Sequence, residues 1–297
     1  MRRWTLLAGL LLALGLAASA GAEDAKEPCP PTPGIPPIND VARGRCLFNS
    51  LRAFGQDPSG PFASCAICHY GHEKTDRGMH LVQITNVAGE TVQVLRKTPS
   101  LLKAAVNFPY GWDGRFQTIQ DAARAAILSP TEMNGRSVTE EQLDALAALV
   151  LSLAHPDPEP TPSPPPPAPS PQTLALIALG KEVFFGKGTC TTCHPAPNFT
   201  INAIATNQVS ANFSGNTDRG AGFVGTGADG HFKVPSLLFF GAGEPFMHAG
   251  VLARLPQLLR FYNKSLGLNL TGRELTGLEY WLRNCLDPRK SPRPSTC

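Results

Sequence analysis

The sequence has few charged residues and no cluster of basic ones. Only 16% of its residues are charged, and the formal net charge is +3. Part of this small excess comes from Arg2 and Arg3 at the start of the chain. Proteins that bind nucleic acids carry a dense basic surface. The composition therefore argues against a nucleic acid as partner.

Long apolar runs are also missing after the first twenty residues. A membrane-spanning helix needs about 20 consecutive apolar residues, and none follows Ala22. The uncharged stretch from Leu6 to Ala18 lies between a basic start and Ala20-Gly21-Ala22, a small-residue cleavage pattern. This order predicts a secretory signal peptide over 1–22, with an uncleaved membrane anchor as the alternative. We expect a periplasmic mature chain, cleaved near Ala22, with no membrane span.

Two copies of one short motif are present, Cys65-Ala66-Ile67-Cys68-His69 and Cys190-Thr191-Thr192-Cys193-His194. The Cys-x-x-Cys-His pattern is typical of c-type haem attachment, in which two thiols bond the porphyrin and the histidine ligates iron. A zinc site would need four converging ligands, and a redox dithiol needs neither the histidine nor a second copy. The sequence predicts two covalently bound haem c groups. The thiols are those of Cys65, Cys68, Cys190 and Cys193, and the iron ligands are His69 and His194.

Four more cysteines remain, Cys29, Cys46, Cys285 and Cys297. An even number in an oxidising compartment predicts two disulfides, and three connectivities are possible. Proximity along the chain favours Cys29 with Cys46 and Cys285 with Cys297. Such bonds would fasten both ends of the chain.

A proline-rich segment, 156–171, divides the chain into 23–155 and 172–297. Proline removes the backbone donors that helices and sheets require, so the segment is expected to be an extended polyproline linker. One pentad falls on each side of it. The sequence therefore predicts two haem domains joined by a linker.

The two parts are related by an internal duplication. Gly44-Arg45-Cys46-Leu47-Phe48 matches Gly180-Lys181-Glu182-Val183-Phe184, 136 residues further on. The same spacing separates Lys97-Thr98-Pro99-Ser100-Leu101 from Lys233-Val234-Pro235-Ser236-Leu237. The pentads are 125 residues apart, so the loops vary inside a repeated frame. Repetition at this scale indicates two copies of one haem-binding unit.

The predicted secondary structure is mostly helical. Thr139 and Thr271 begin capping-box patterns before apolar periodicity, and strand-like alternation is confined to short pieces such as Thr91 to Leu95. The expected class is all-α, with two cytochrome c-like haem domains. The predicted helices are Asp40–Phe54, Thr118–Leu128, Val138–Ala154, Gln172–Phe185, Leu255–Asn263 and Thr271–Cys285.

Further motifs lie outside the pentads. The N-terminal set is Thr98-Pro99-Ser100-Leu101, Trp112-Asp113-Gly114-Arg115 and Ser129-Pro130-Thr131-Glu132-Met133. The C-terminal set is Phe232-Lys233-Val234-Pro235-Ser236-Leu237 and Pro245-Phe246-Met247-His248-Ala249-Gly250. Together they resemble the motifs of the bacterial dihaem cytochrome c peroxidase and MauG family, and the resemblance covers nearly all of the chain after the leader. It implies a peroxide-reacting haem in 23–155 and an electron-transfer haem in 172–297.

The resemblance also implies roles for three side chains of the N-terminal part. Glu132 matches the acid that moves a proton between the peroxide oxygens, although Ser129 to Glu132 also reads as a capping box. Trp112 resembles the tryptophan between the haems, with a core position as the alternative. Arg115 would pair with a haem propionate, or locally with Asp113.

Two histidines of this part, His72 and His80, could close the sixth position of the N-terminal iron. Neither has the family's spacing for a distal ligand. Both are therefore interpreted as surface residues.

For the C-terminal haem, the resemblance places Tyr262 where the family has its axial methionine or tyrosine. Met247 is the runner-up ligand. A core aromatic is the alternative for Tyr262, because it shares a helical face with Leu255 and Leu258. The family's calcium site is doubtful, since Lys97 stands where an asparagine oxygen is usual.

The resemblance implies a c-type peroxidase that reduces hydrogen peroxide with electrons from a small periplasmic donor protein. Two alternatives stay open. An axial Tyr262 would favour a MauG-like enzyme that oxidises a partner protein. A dihaem cytochrome that only transfers electrons is the non-enzymatic alternative.

Overall fold

The structure is a computed structural model that describes residues 27–71, 74–154, 168–206, 218–289 and 294–297. The predicted signal peptide and most of the predicted linker lie outside these residues, and the domain boundaries stay predictions. The described helices are α1 Val41–Asn49, α2 Cys65–Cys68, α3 Ile119–Leu128, α4 Glu140–Ser152, α5 Pro171–Phe185, α6 Ala221–Val224, α7 Leu255–Ser265 and α8 Gly272–Cys285. The strands are β1 Met79–Thr85, β2 Thr91–Lys97, β3 Ile204–Thr206 and β4 His231–Lys233.

All six predicted helices are present, and their beginnings follow from capping. Thr118 accepts a hydrogen bond from the backbone N–H of Asp121 at the start of α3. Thr139 with Gln142, and Thr271 with Glu274, form complete capping boxes at α4 and α8. Each box satisfies backbone donors that the first helical turn leaves free. Helix α1 ends at Asn49, earlier than predicted.

Matching glycines let two pairs of helices pack closely. A Cβ at Gly44 of α1 would lie 2.0 Å from the carbonyl oxygen of Ala145 in α4. A Cβ at Gly180 of α5 would lie 2.0 Å from the carbonyl oxygen of Gly277 in α8. Only glycine allows backbones so close. The duplicated frame therefore packs in the same way in both halves.

The predicted all-α class is wrong, because the structure also contains two small antiparallel sheets. Strand β1 pairs with β2, and β3 pairs with β4. In the longer hairpin, Ile84 and Val94 are buried and form a small core with Val224. A two-stranded hairpin is marginal alone and needs such a packed face. The expected alternation in β2 is real, but it belongs to a sheet.

Each half has its own hydrophobic core. In the N-terminal half, α1 and α4 contribute Leu47 and Leu146. In the C-terminal half, α5 and α8 contribute Phe184 and Trp281. The disulfides are Cys29–Cys46 and Cys285–Cys297, which confirms the favoured pairing.

The two halves meet through a reciprocal pair of backbone hydrogen bonds. The N–H of Lys97 donates to the carbonyl of His248 (2.7 Å), and the N–H of Lys233 donates to the carbonyl of Trp112 (2.8 Å). Lys97 and Lys233 are equivalent positions of the duplication, as are Trp112 and His248. Each half therefore gives the other the same bond, which is the signature of an approximate two-fold relation.

None of the described helices has the length and apolar character that crossing a bilayer requires.

Candidate haem sites

The N-terminal pentad folds as the short helix α2, with His69 directly after it. The N–H of His69 donates to the carbonyl of Cys65 (2.9 Å), and its Nδ1 lies 3.1 Å from the carbonyl oxygen of Lys74. This contact assigns the Nδ1 proton and leaves Nε2 free to bind a metal. Burial lowers the pKa of His69, which favours the neutral, ligating form of the ring.

The C-terminal pentad repeats this arrangement. The N–H of His194 donates to the carbonyl of Cys190 (2.8 Å), and its Nδ1 lies 2.9 Å from the carbonyl oxygen of Phe199. Burial lowers the pKa of His194 to about 4. Both histidines are thus held by a carbonyl oxygen five residues further along the chain.

The four pentad cysteines are free thiols. Burial raises the pKa of Cys65 to about 12 and that of Cys190 to about 11, so these thiols stay protonated at neutral pH. Among the described residues, neither pentad brings three ligand atoms of its own to one point, as a zinc site would require. Cys68 joins only Asp76 and His80 in such a group. The thiols are therefore available for thioether bonds.

A cavity of about 330 Å³ adjoins the N-terminal pentad. Cys65, Cys68 and His69 form one wall, and largely apolar side chains from α3, α4 and the chain around Leu101 form the others. A mostly apolar cavity of this size suits a flat aromatic cofactor. With two thiols and one oriented imidazole at its wall, the residues present fit a covalently bound haem.

Glu132 lines this cavity. It lies in a turn after α3, where its N–H donates to the carbonyl of Ser129 (3.2 Å). No helix begins at Pro130 in this described part of the chain, so the capping-box interpretation is wrong. Burial raises the pKa of Glu132 against the lowering effect of the Ser129 hydroxyl. Glu132 is thus an acid on the cavity wall whose pKa is raised by burial.

His80 also lines the cavity, so its interpretation as a surface residue is wrong. It lies on β1, with Nε2 2.6 Å from the carboxylate of Asp76 and 3.9 Å from the Cys68 sulfur. The pair with Asp76 fixes the ring at the thiol side of the cavity. His72 lies outside the described residues.

Trp112 and Arg115 both reach the cavity from the turn before α3. The indole N–H of Trp112 donates to the carbonyl of Lys97 (2.8 Å), next to the contact between the halves. Arg115 pairs with Asp113 at 2.6 Å, which is the local alternative. Arg115 also lies on the cavity wall, and its predicted contact with a haem propionate stays a prediction.

Sequence reasoning missed Arg96, the centre of a buried ion network. Its Nη1 lies 2.6 Å from Asp113, and its Nε lies 2.8 Å from Asp218 in the other half. All three side chains are almost fully buried. Arg96 and neighbouring hydrogen bonds hold the pKa of Asp218 below its usual range despite burial. No local signal marks a pair separated by 122 residues.

Tyr262 lies on α7 close to the C-terminal pentad. Burial and the neighbouring thiols of Cys193 and Cys190 raise its pKa to about 12. Leu255 belongs to the core of this half, while Tyr262 does not. Met247, the runner-up, occupies a turn with φ 70°. The structure thus brings Tyr262 near the pentad thiols.

The surroundings of Lys97 do not fit a calcium ion. The ammonium of Lys97 donates to the carbonyl of Gly243, and Lys103 and Arg77 lie near enough to affect it. Burial and these cations lower the pKa of Lys97 to about 7. Calcium prefers a set of oxygen ligands without competing cations.

The sequence is similar to those of known dihaem proteins. Residues 41–152 match the family model described as di-haem cytochrome c peroxidase. Methylamine utilization protein MauG of Methylorubrum extorquens is 28% identical over 254 residues, which cover 75% of this chain and 68% of that protein. Cytochrome c551 peroxidase of Nitrosomonas europaea is 34% identical over 137 residues, which cover 45% of this chain and 39% of that protein.

The same fold occurs in solved crystal structures. The crystal structure of a MauG-like protein associated with microbial copper homeostasis superposes with a TM-score of 0.64 at 19% identity. The match covers 91% of this chain and 96% of that one. At this identity it concerns the fold alone. Family model, relatives and fold agree, so the chain is a relative of the dihaem cytochrome c peroxidases and MauG proteins, as its motifs predict.

Proposed function

We propose that the chain is a periplasmic dihaem c-type peroxidase. It reduces hydrogen peroxide in the N-terminal cavity with electrons that a small donor protein delivers through the C-terminal haem. Its relatives are oxidoreductases with peroxidase or MauG-like activity. The observation that carries the proposal is the placement of Glu132 on the wall of the cavity beside the first pentad.

The pentads supply the attachment points. Cys65, Cys68 and His69 would hold one haem, and the second pentad would hold the other. When bound, the haems supply the electrons that reductive cleavage of peroxide consumes. The protein must then exclude bulk water, position the peroxide and move protons.

Glu132 is suited to the proton transfer. Its carboxyl faces an apolar cavity, and burial raises its pKa, so it holds a proton more readily than an exposed glutamate. It can take a proton from one peroxide oxygen and return it to the other. A positioned carboxyl group in this role typically accelerates a reaction by 10²–10⁴-fold.

Trp112 is suited to the passage of electrons between the halves. Its indole lines the N-terminal cavity, while its backbone carbonyl accepts a hydrogen bond from Lys233 of the C-terminal half. The hydrogen bond from the indole to Lys97 holds the ring in place. An aromatic ring fixed at this junction shortens the gap that an electron must cross.

One observation favours a second candidate, a MauG-like enzyme that oxidises a partner protein. Tyr262 lies near the C-terminal pentad thiols. A phenolate is a hard ligand that stabilises higher oxidation states of iron, whereas a thioether raises the reduction potential. If Tyr262 held the iron of the C-terminal haem, it would therefore favour oxidation of a protein. An electron carrier without enzymatic activity would have no use for an acid facing the cavity.

Stopped-flow absorbance tests both candidates. The diferric, haem-loaded protein is mixed with stoichiometric hydrogen peroxide, with and without prior reduction of one haem. A reaction only after half-reduction is the result expected of a peroxidase. If the spectrum of an oxidised species appears rapidly and persists without prior reduction, the chemistry is MauG-like. If neither form reacts, the protein is an electron carrier without enzymatic activity.

Glu132→Gln tests the role of the acid in the same experiment. Because glutamine cannot transfer the proton, we expect the reaction with peroxide to slow by about 100-fold. Glu90→Gln, in the exposed turn between β1 and β2, is the matched control and should leave the rate unchanged. Equal rates for Glu132→Gln and the unmodified protein would exclude the catalytic role.

A further inference from the structure

Lys233 belongs to the C-terminal half but lines the N-terminal haem cavity. It is the last residue of β4, and its N–H is anchored on the carbonyl of Trp112 (2.8 Å). Its side chain is buried, since the residue is only 6% exposed. Among the described residues, none forms a hydrogen bond with its buried Nζ.

In the described residues, nothing replaces the water that this buried ammonium group would bind at the surface. Removing a charge from water without a partner is strongly unfavourable. Here burial, together with the nearby Lys103, lowers the pKa of Lys233 to about 7, and no carboxylate offsets this effect. Two acids of the junction, Asp113 and Asp218, are already engaged by Arg96. Within the part of the chain that the structure describes, Lys233 therefore has no counter-charge.

The other lysines of this junction differ from Lys233. Lys97, the equivalent position of the duplication, donates from its ammonium to the carbonyl of Gly243. Lys103 donates to the carbonyl of Ser236 (2.9 Å). The chain thus provides acceptors for two lysines and leaves the third facing the cavity that fits a haem.

We propose that Lys233 binds a propionate carboxylate of the N-terminal haem. The propionates are the anionic groups of a haem, and a carboxylate would give the buried ammonium both a counter-charge and a hydrogen-bond acceptor. Arg115 at the same cavity already has a partner in Asp113. The C-terminal half would thereby contribute directly to the binding of the N-terminal haem. The inference rests on the haems of the proposed function but not on any reaction with peroxide.

The reduction potential of the N-terminal haem tests the contact. In Lys233→Met, loss of a positive charge near the haem should stabilise the oxidised iron. We expect the equilibrium constant for reduction to fall about tenfold, which is about 59 mV for one electron. Lys233→Arg keeps the charge and should retain the potential. Lys187→Met removes a surface ammonium paired with Glu274 and should change nothing.

An unchanged potential in Lys233→Met would overturn the proposal. If that variant does not mature, a crystal structure of the haem-loaded, unmodified protein decides. The expected distance from Nζ to a propionate oxygen is about 2.7–3.2 Å, and a separation beyond hydrogen-bond reach refutes the contact. Both measurements are made at equilibrium without peroxide, so an inactive protein would still report on Lys233.

Discussion

Two carbonyl oxygens, those of Lys74 and Phe199, orient the histidines of the two haem sites. Each accepts the Nδ1 proton of the histidine five residues earlier and so directs Nε2 toward the cofactor. Such contacts raise the basicity of a metal-bound imidazole and fix its rotation. Because the acceptor is a backbone atom, the surrounding residues can vary without loss of this orientation.

Individual residues also show which features of the sites can be predicted from the sequence alone. The pentads are predictable because their chemistry is written in a few consecutive residues, whereas the proposed role of Glu132 follows only from the resemblance to a known family. Arg96 and Lys233 were missed because their meaning depends on partners in the other half. A lysine before a Val-Pro pair has no local sign of burial. Only the folded structure shows that its ammonium lacks an acceptor.

Tyr262→Phe tests the predicted axial ligand. Phenylalanine fills the same space but cannot bind iron, so we expect the low-spin signal of the C-terminal haem to disappear from the ferric spectrum. Electron paramagnetic resonance of the diferric protein measures this change. Tyr280→Phe, on a more exposed part of α8, is the control. A low-spin signal that persists in Tyr262→Phe would remove this residue as a ligand and leave Met247.

At the scale of elements, the helices were predictable and the hairpins were not. Helices begin at side chains such as Thr139 and Thr271, whose capping contacts lie within three residues. The strand β2 shows alternation, but its partner β1 has no strong pattern of its own. The pair is stabilised by a contact of Ile84 and Val94 with Val224, far along the chain. Local periodicity cannot reveal such a contact.

The close helix pairs give a prediction about packing. A methyl group at Gly44 would overlap the carbonyl of Ala145, so Gly44→Ala must push α1 and α4 apart. We expect a loss of unfolding free energy of about 3 kcal/mol, at the upper end for overpacked cores. Chemical denaturation of the haem-loaded protein, followed by circular dichroism, measures the loss.

Gly272→Ala is the matched control, because a Cβ there meets open space at the start of α8. That variant should keep or slightly raise the stability. If Gly44→Ala were as stable as Gly272→Ala, the close approach of α1 and α4 would not contribute to folding as described.

At the scale of the whole molecule, a buried ion network joins the halves. Asp218→Asn removes a charge that Arg96 needs, and breaking a buried pair from one side costs about 3–5 kcal/mol. Since the folded pKa of Asp218 is lowered, its contribution is present at neutral pH and is lost as the pH falls below the ordinary carboxyl range.

Urea unfolding at pH 7 and at acidic pH measures this difference. The stability gap between Asp218→Asn and the unmodified protein should be large at pH 7 and should shrink in acid. Asp229→Asn, which loses only an exposed pair with Arg219, is the control and should cost less than about 1 kcal/mol. A gap independent of pH would contradict the assigned role of the charge.

The contacts between the halves also predict that the covalent link is dispensable once the protein has folded. A protease site inserted into the Pro-rich segment 156–171 allows the link to be cut. We expect the two fragments to co-elute in size-exclusion chromatography, because the reciprocal backbone bonds and the Arg96 network remain. Separate elution of the fragments at neutral pH would show that these contacts do not hold the halves together.

The reciprocal backbone hydrogen bonds of Lys97 with His248 and of Lys233 with Trp112 bear on the origin of the two halves. An interface in which the same surface serves both partners is that of a symmetric homodimer. A one-haem ancestor that paired with its own copy would have made both bonds at once. Two copies joined in one chain need not stay identical, and here one has Trp112 where the other has His248. The difference between Trp112 and His248 is, in these terms, a broken symmetry.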